Sequence, residues 1–198
     1  MAASDIRAVA QRGFSMLEVL VSIVILVFGL LGLAGMQAVA HQAELESYQR
    51  AQALILLNDV VERINSNRRA RGCYVFTDAG TGAPYLGDAT QGGYLGTPNC
   101  ATGFSDSSTK EIADSGLAEW DNLLKGSAET KSSTSVGAMI GARGCVMLDA
   151  ATGVYTIAVA WQGMTDTFTP VVNCANGLYG TETRRRVVWT TLRFANLN

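Results

Sequence analysis

The sequence predicts an α+β protein in which a long N-terminal α-helix, membrane-spanning at first and amphipathic afterwards, packs on a C-terminal head built around an antiparallel β-sheet. Three observations carry this expectation. Residues 19–40 contain no charged side chain, about the length of a bilayer-spanning helix. Residues 42–65 follow without proline or glycine and repeat Ala51, Leu54, Leu57, Val61 and Ile64 at three- and four-residue intervals, an apolar stripe on one helix face. Residues 154–161 then alternate with a period of two, Tyr155, Ile157, Val159 and Trp161 on one face and Thr156, Ala158 and Ala160 on the other, as a strand does. At 198 residues the chain has room for one domain with its own core plus one extended element.

The first thirteen residues, MAASDIRAVAQRG, are short and polar and hold Arg7 and Arg12 ahead of the apolar run. Positive charge on this side predicts that it stays in the cytoplasm while the C-terminus crosses the membrane. Three readings compete: a secretory signal, a plain signal anchor, and a leader removed just ahead of the apolar segment. Ala38-Val39-Ala40 has the small-x-small form of a signal peptidase site, and cleavage there would leave His41 first. Against that reading, the apolar stretch exceeds the usual ~7–15-residue core of a secretory signal, and it contains Glu18. A charged side chain deep in hydrocarbon costs roughly 2.5–3.5 kcal/mol, so it generally has a partner or a function. A plain anchor gains nothing from it.

The run Gly13-Phe14-Ser15-Met16-Leu17-Glu18-Val19-Leu20-Val21 resembles the class III signal of the type IV pilins and pseudopilins. That resemblance implies a prepilin peptidase that cuts between Gly13 and Phe14 on the cytoplasmic side, keeps the apolar segment on the mature chain and methylates the new amino terminus at Phe14. It also implies that Glu18 pairs with the terminal amine of an adjacent subunit during assembly. A charge pair in a low-dielectric helical core is favourable only when each charge finds its partner, so such a pair would set register. The competing reading of Glu18 is a glutamate snorkelling to the headgroups. The continuation 26–37, with residues 116–126 and 144–163, most resembles the PilV family of minor pilins, while type II secretion pseudopilins share the LEVLV core.

On this resemblance the fold is pilin-like. Residues 1–13 are the leader, 14–40 the transmembrane and assembly helix, 41–71 the amphipathic helix of the head and 72–198 a disulfide-bonded head. The implied partners are prepilin peptidase, other minor pilins, the major pilin, a tip adhesin and the inner membrane. The implied role is structural: a subunit held in the inner membrane with its head in the periplasm, then built into an extracellular pilus, priming assembly or joining a tip complex. The alternative is a minor pseudopilin of a type II secretion system. Gly29, Gly32 and Gly35 each lower helix propensity by about 1 kcal/mol relative to alanine, which fits either close helix packing in the membrane or a segment that loosens on leaving the bilayer.

The membrane segment and the amphipathic stretch together read as one continuous helix from about Phe14 to about Asn65, with Arg68, Arg69 and Arg71 near its C-terminal dipole. Residues 72–115, rich in Gly, Thr, Ser and Asp, read as a long loop with a short hairpin. A short amphipathic helix follows, with Leu117, Trp120, Leu123 and Leu124 on its apolar face, Ser115 as its cap and Gly126 as its stop. Residues 125–135 read as polar linker. Strands are expected at 145–148, 154–161 and 187–194. The triplet Arg184, Arg185 and Arg186 reads as a charged strand edge that discourages aggregation, with an acidic or phosphate partner as the alternative.

The four cysteines, Cys73, Cys100, Cys145 and Cys174, all follow the apolar segment and include no CxxC pair. An even count beyond a membrane segment predicts two disulfides in an oxidising compartment. Three pairings are open; the sequential one closes moderate loops, each contributing roughly 3–4 kcal/mol. His41 is the only histidine, so a zinc site or a catalytic triad lacks ligands and bases. No enzyme activity, cofactor or metal is expected. A net charge of −2 leaves no electrostatic footprint for nucleic acid, so only the arginine clusters at 68–71 and 184–186 keep DNA binding in view.

Overall fold

The computed structural model describes residues 13–87, 100, 107–127, 130–131, 134–135 and 139–194. The expected leader, with Arg7 and Arg12, therefore lies outside the described residues apart from Gly13. So do residues 88–99 and 101–106 of the expected loop and parts of the 125–135 linker. The architecture is α+β: a long apolar N-terminal helix and a three-stranded antiparallel sheet. The chain divides into two compact units, Met1–Glu44 and Leu45–Asn198.

Helix α1 runs over Met16–Ser66 without interruption. Ser15 caps it: its Oγ accepts the Leu17 N–H at 3.3 Å, and its carbonyl accepts from Glu18 at 3.0 Å and Val19 at 3.3 Å, which satisfies N–H groups that a first turn leaves without helical partners. At the far end Arg68 Nε donates to the Asn65 carbonyl at 3.2 Å, and a 3-10 segment, Arg68–Tyr74, carries the chain away.

Only the second half of α1 enters the core of the head. Its buried line is Ala53, Leu57, Val60 and Ile64, not the expected Ala51, Leu54, Leu57, Val61 and Ile64. Ala51 and Leu54 are exposed and Val61 is half-buried. This stretch has apolar side chains on two adjoining lines, and residue type does not distinguish them. The chosen line is the one that shares a core with Leu117, Trp120, Ile157 and Val159.

Helix α2 spans Ser107–Leu124, about eight residues longer at its start than expected. Ser115 is not its cap; it lies mid-helix, its hydroxyl donating back to the Ile112 carbonyl at 3.1 Å, a bond that serine makes inside helices. Gly126 does end the helix. Its φ of 84° allows the N–H groups of Gly126 and Ser127 to reach the carbonyls of Leu123 and Asn122 at 2.9 and 3.1 Å, the paired closure of a left-handed glycine stop. Trp120 Nε1 donates to the Leu56 carbonyl of α1 at 2.9 Å. Arg63 bridges Asp59 and Glu119, both at 2.7 Å.

Two short strands, β1 (Thr130–Lys131) and β2 (Thr134–Ser135), pair within the expected linker. The main sheet is β3 (Arg143–Asp149), β4 (Val154–Gln162) and β5 (Arg185–Arg193), in that order and antiparallel throughout. Its register pairs Val146 with Ile157 and Ala158 with Trp189. The two faces of β4 are those the alternation predicts: Ile157, Val159 and Trp161 join the core with the helices, and Ala158 and Ala160 face the other way. That second face is buried as well, under Cys174, Ala175 and Tyr179. Alanines leave the space in which this cover sits.

The cysteines are paired sequentially, Cys73 with Cys100 and Cys145 with Cys174, and no cysteine is free. The second bond fastens the cover to β3.

Of the arginine triplet only Arg184 stands in solvent, its side chain 49% exposed. Arg185 is 1% exposed; its guanidinium pairs with Glu182 at 2.6 Å and donates to the carbonyls of Val172 at 2.6 Å and Cys174 at 3.1 Å. Arg186 holds Glu46 and Thr165, and Arg184 pairs with Asp166 at 3.4 Å. The triplet is a set of internal staples for residues 163–184. A buried arginine persists because carboxylate and carbonyl oxygens replace its water.

Burial would raise the Glu182 carboxyl, but the Gly177 N–H and the Arg185 guanidinium outweigh it and hold the group below the usual carboxylate range. A carboxylate depressed in the folded state contributes stability above its unfolded pKa and loses it as pH falls through the folded one. Thermal melts should therefore show a loss below about pH 4.3, where glutamate ordinarily titrates, and Glu182→Gln should remove that component while lowering stability at pH 7. Solvent reaches this carboxylate, so the effect is on the order of 1 kcal/mol.

Candidate functional site

The exceptional surface of this chain is its first helical half. Every side chain from residue 13 to residue 45 is exposed, including Phe14 at 83% and Phe28 at 70%. Soluble proteins rarely leave so large an apolar surface open, so it marks contact with a membrane or a partner. Helix α1 is long and apolar enough to cross a bilayer, and none of its most apolar window is buried.

At the entrance to this surface Gly13 and Phe14 precede the cap residue Ser15, and Glu18 sits in the first turn. An acidic group there is favoured by the helix dipole. The first turn is further tied by Ser22, whose hydroxyl donates to the Glu18 carbonyl at 2.7 Å. Among the described residues no side chain is bonded to the Glu18 carboxylate.

Glycine at position 13 is not required by the fold. A Cβ there would meet nothing within 4 Å, and the same holds at Gly29, Gly32 and Gly35. His41 lies near Glu44, at 3.5 Å, both side chains exposed. Ala38, Val39 and Ala40 are ordinary mid-helix residues of α1.

In the head, the described residues contain no group of three His, Cys, Asp or Glu placed to hold a metal ion. Glu119 is committed to Arg63. Asp121, which sequence reasoning did not single out, is 2% exposed and structural. It accepts the Gly87 N–H at 2.7 Å and pairs with Lys125 at 2.5 Å. Its only sequence signal is an acid directly after Trp120 on the apolar face of a helix.

A helix whose first half is apolar and exposed, continuous with a disulfide-bonded head, points to membrane anchoring through that half. Residues 9–34 match the prokaryotic N-terminal methylation motif, which indicates a type IV pilin- or pseudopilin-like protein and implies processing by prepilin peptidase and assembly with pilin subunits. The motif points to a structural subunit rather than an enzyme. No curated protein and no solved structure matches the chain.

Proposed function

We propose that this protein is a minor pilin of a type IV pilus, similar to the PilV family, that waits in the inner membrane with its head in the periplasm and then enters the fibre. In this reading Gly13 and Phe14 form the cleavage pair, Phe14 is methylated, and Glu18 meets the terminal amine of a neighbouring subunit. The head then takes part in priming or in a tip complex with other minor pilins, the major pilin and an adhesin. The observation that carries the proposal is a carboxylate without a partner among the described residues, in the first turn of a helix that begins within the methylation motif and whose first half is apolar and exposed throughout. Support also comes from Gly13, whose lack of a side chain serves no packing need in the chain itself and fits recognition by a peptidase.

Mass spectrometry of protein from its native membrane tests the processing step. The expected mature chain starts at methylated Phe14. A start at His41 would mean a secreted soluble head, and an intact Met1 a plain anchor; either result ends the proposal. The pilus itself is tested by shearing: the protein should be present in purified fibres, and its deletion should impair piliation. Normal piliation with loss of exoprotein secretion would assign it instead to a type II secretion pseudopilus.

A further inference from the structure

The β3–β4 turn end of the sheet opens onto a cleft of about 490 Å³ whose lining includes Arg71, Thr152, Tyr155, Arg193 and Phe194. Its aromatic wall is ordered: Tyr155 and Phe194 meet edge to face with centroids 5.4 Å apart, and the Arg71 guanidinium lies 5.6 Å from the Phe194 centroid. Neither Arg71 nor Arg193 is ion-paired with a carboxylate among the described residues. Asp149, the acid of the adjoining turn, accepts from the Ala151 N–H and the Thr152 hydroxyl. Two guanidiniums beside two aromatic rings suit a carboxylate carried next to an aromatic group.

The chain presents that combination at the opposite end of the same sheet. Strand β4 runs from Val154, opposite Arg193, to Gln162, opposite Arg185, so the segment that follows it starts about 26 Å from the cleft. There Phe168 is 94% exposed and the Asp166 side chain 64%, its Oδ1 shared with Thr183 Oγ1 at 3.0 Å and Arg184 Nε at 3.4 Å and its other carboxylate oxygen open to a second guanidinium. The segment is held in shape: Glu46 accepts the N–H groups of Met164 and Thr165 at 3.1 and 3.2 Å, Arg186 donates to Thr167 Oγ1 at 2.6 Å, and the Thr167 N–H reaches the Thr183 carbonyl at 2.8 Å. A rigid loop that displays a bare phenylalanine has already met the ordering cost of an interface anchor.

We propose that the head docks head-to-tail on a second copy of this chain, with Asp166 and Phe168 of one copy entering the cleft formed by Arg71, Arg193 and Phe194 of the next. Knob and cleft are different surfaces at opposite ends of one sheet, so the contact is heterologous and extends a row rather than closing a two-fold dimer. The proposal goes beyond the pilin reading and does not depend on N-terminal processing.

The test uses the full-length chain in its membrane with a photo-crosslinking residue at position 168. Illumination should give an adduct with a second copy, mapped to residue 71, 148–155 or 193–194. Arg193→Glu should lower its yield at least tenfold, and Asp166→Arg should do the same. The two changes combined in one chain should restore it. Because the sites are about 26 Å apart within a copy, restoration reports a contact between copies and not a repaired fold. An adduct with a different protein, an adduct elsewhere on the second copy, or a yield indifferent to the charge changes overturns the proposal. The N-terminal mass of the same preparation reads the pilin proposal separately.

Discussion

Gly144→Ala is expected to cost the head roughly 3 kcal/mol, the upper part of the range for overpacking a filled core. A Cβ at this position of β3 would stand inside van der Waals contact of Trp120 Cη2 and 2.7 Å from both Trp120 Cζ3 and Leu124 Cδ1. Neither neighbour can easily withdraw. Trp120 is fully buried and Leu124 is 1% exposed, and swinging the indole away would break its bond to the Leu56 carbonyl, a further ~1 kcal/mol. For a protein of this size the melting temperature should fall by about 6–12 °C. Trp120→Phe, which removes the clashing atoms, should cost stability alone yet recover part of the loss in combination with Gly144→Ala. That departure from additivity is the signature of direct contact. Additive losses would show that α2 and β3 do not approach each other this closely.

Glu18→Leu should leave the chain in the membrane and remove it from fibres. An unpaired carboxylate in hydrocarbon costs roughly 2.5–3.5 kcal/mol, and in the proposed role a neighbour's amine relieves that cost only after assembly. Leucine abolishes both the penalty and the relief. The balance between bilayer and fibre then shifts toward the bilayer by up to about 60- to 300-fold, at 1.4 kcal/mol per decade. Quantitative immunoblots of sheared fibres and of membranes should show the variant depleted at least tenfold from the former, still cleaved ahead of Phe14. Equal incorporation of Glu18→Leu would return the glutamate to a headgroup-facing role.

The features legible in the sequence are those written in consecutive residues. A charge-free apolar run specifies a membrane-length helix without knowledge of any partner, and the alternation of Tyr155, Ile157, Val159 and Trp161 specifies a strand face in the same way. The segment from Gly13 to Glu18 was likewise legible as a motif. What escaped was decided by contacts between distant residues. The first half of α2 is almost wholly polar, and the positions the helix buries include Ala113 and Gly116, which carry little hydropathic signal. Arg185 has the residue type of a surface group, yet Glu182 and the carbonyls of Val172 and Cys174 surround it. The cleft joins Arg71, the β3–β4 turn and the end of β5, positions that no local pattern connects.

In the proposed export of the head, the order of the sheet also sets a timetable. Strand β5 lies opposite every residue of β4, and β4 is the middle strand. While a chain threads outward from its N-terminus, the anchor helix arrives first and β3 and β4 can close their turn soon afterwards. β4 then waits with one row of backbone N–H and C=O groups open until Arg185–Arg193 has crossed. An open row of this kind is a template for pairing with foreign strands. In that proposed role the nascent head is most vulnerable late in its translocation, already tethered to the membrane, and a chaperone that shields bare strand edges would have its moment there.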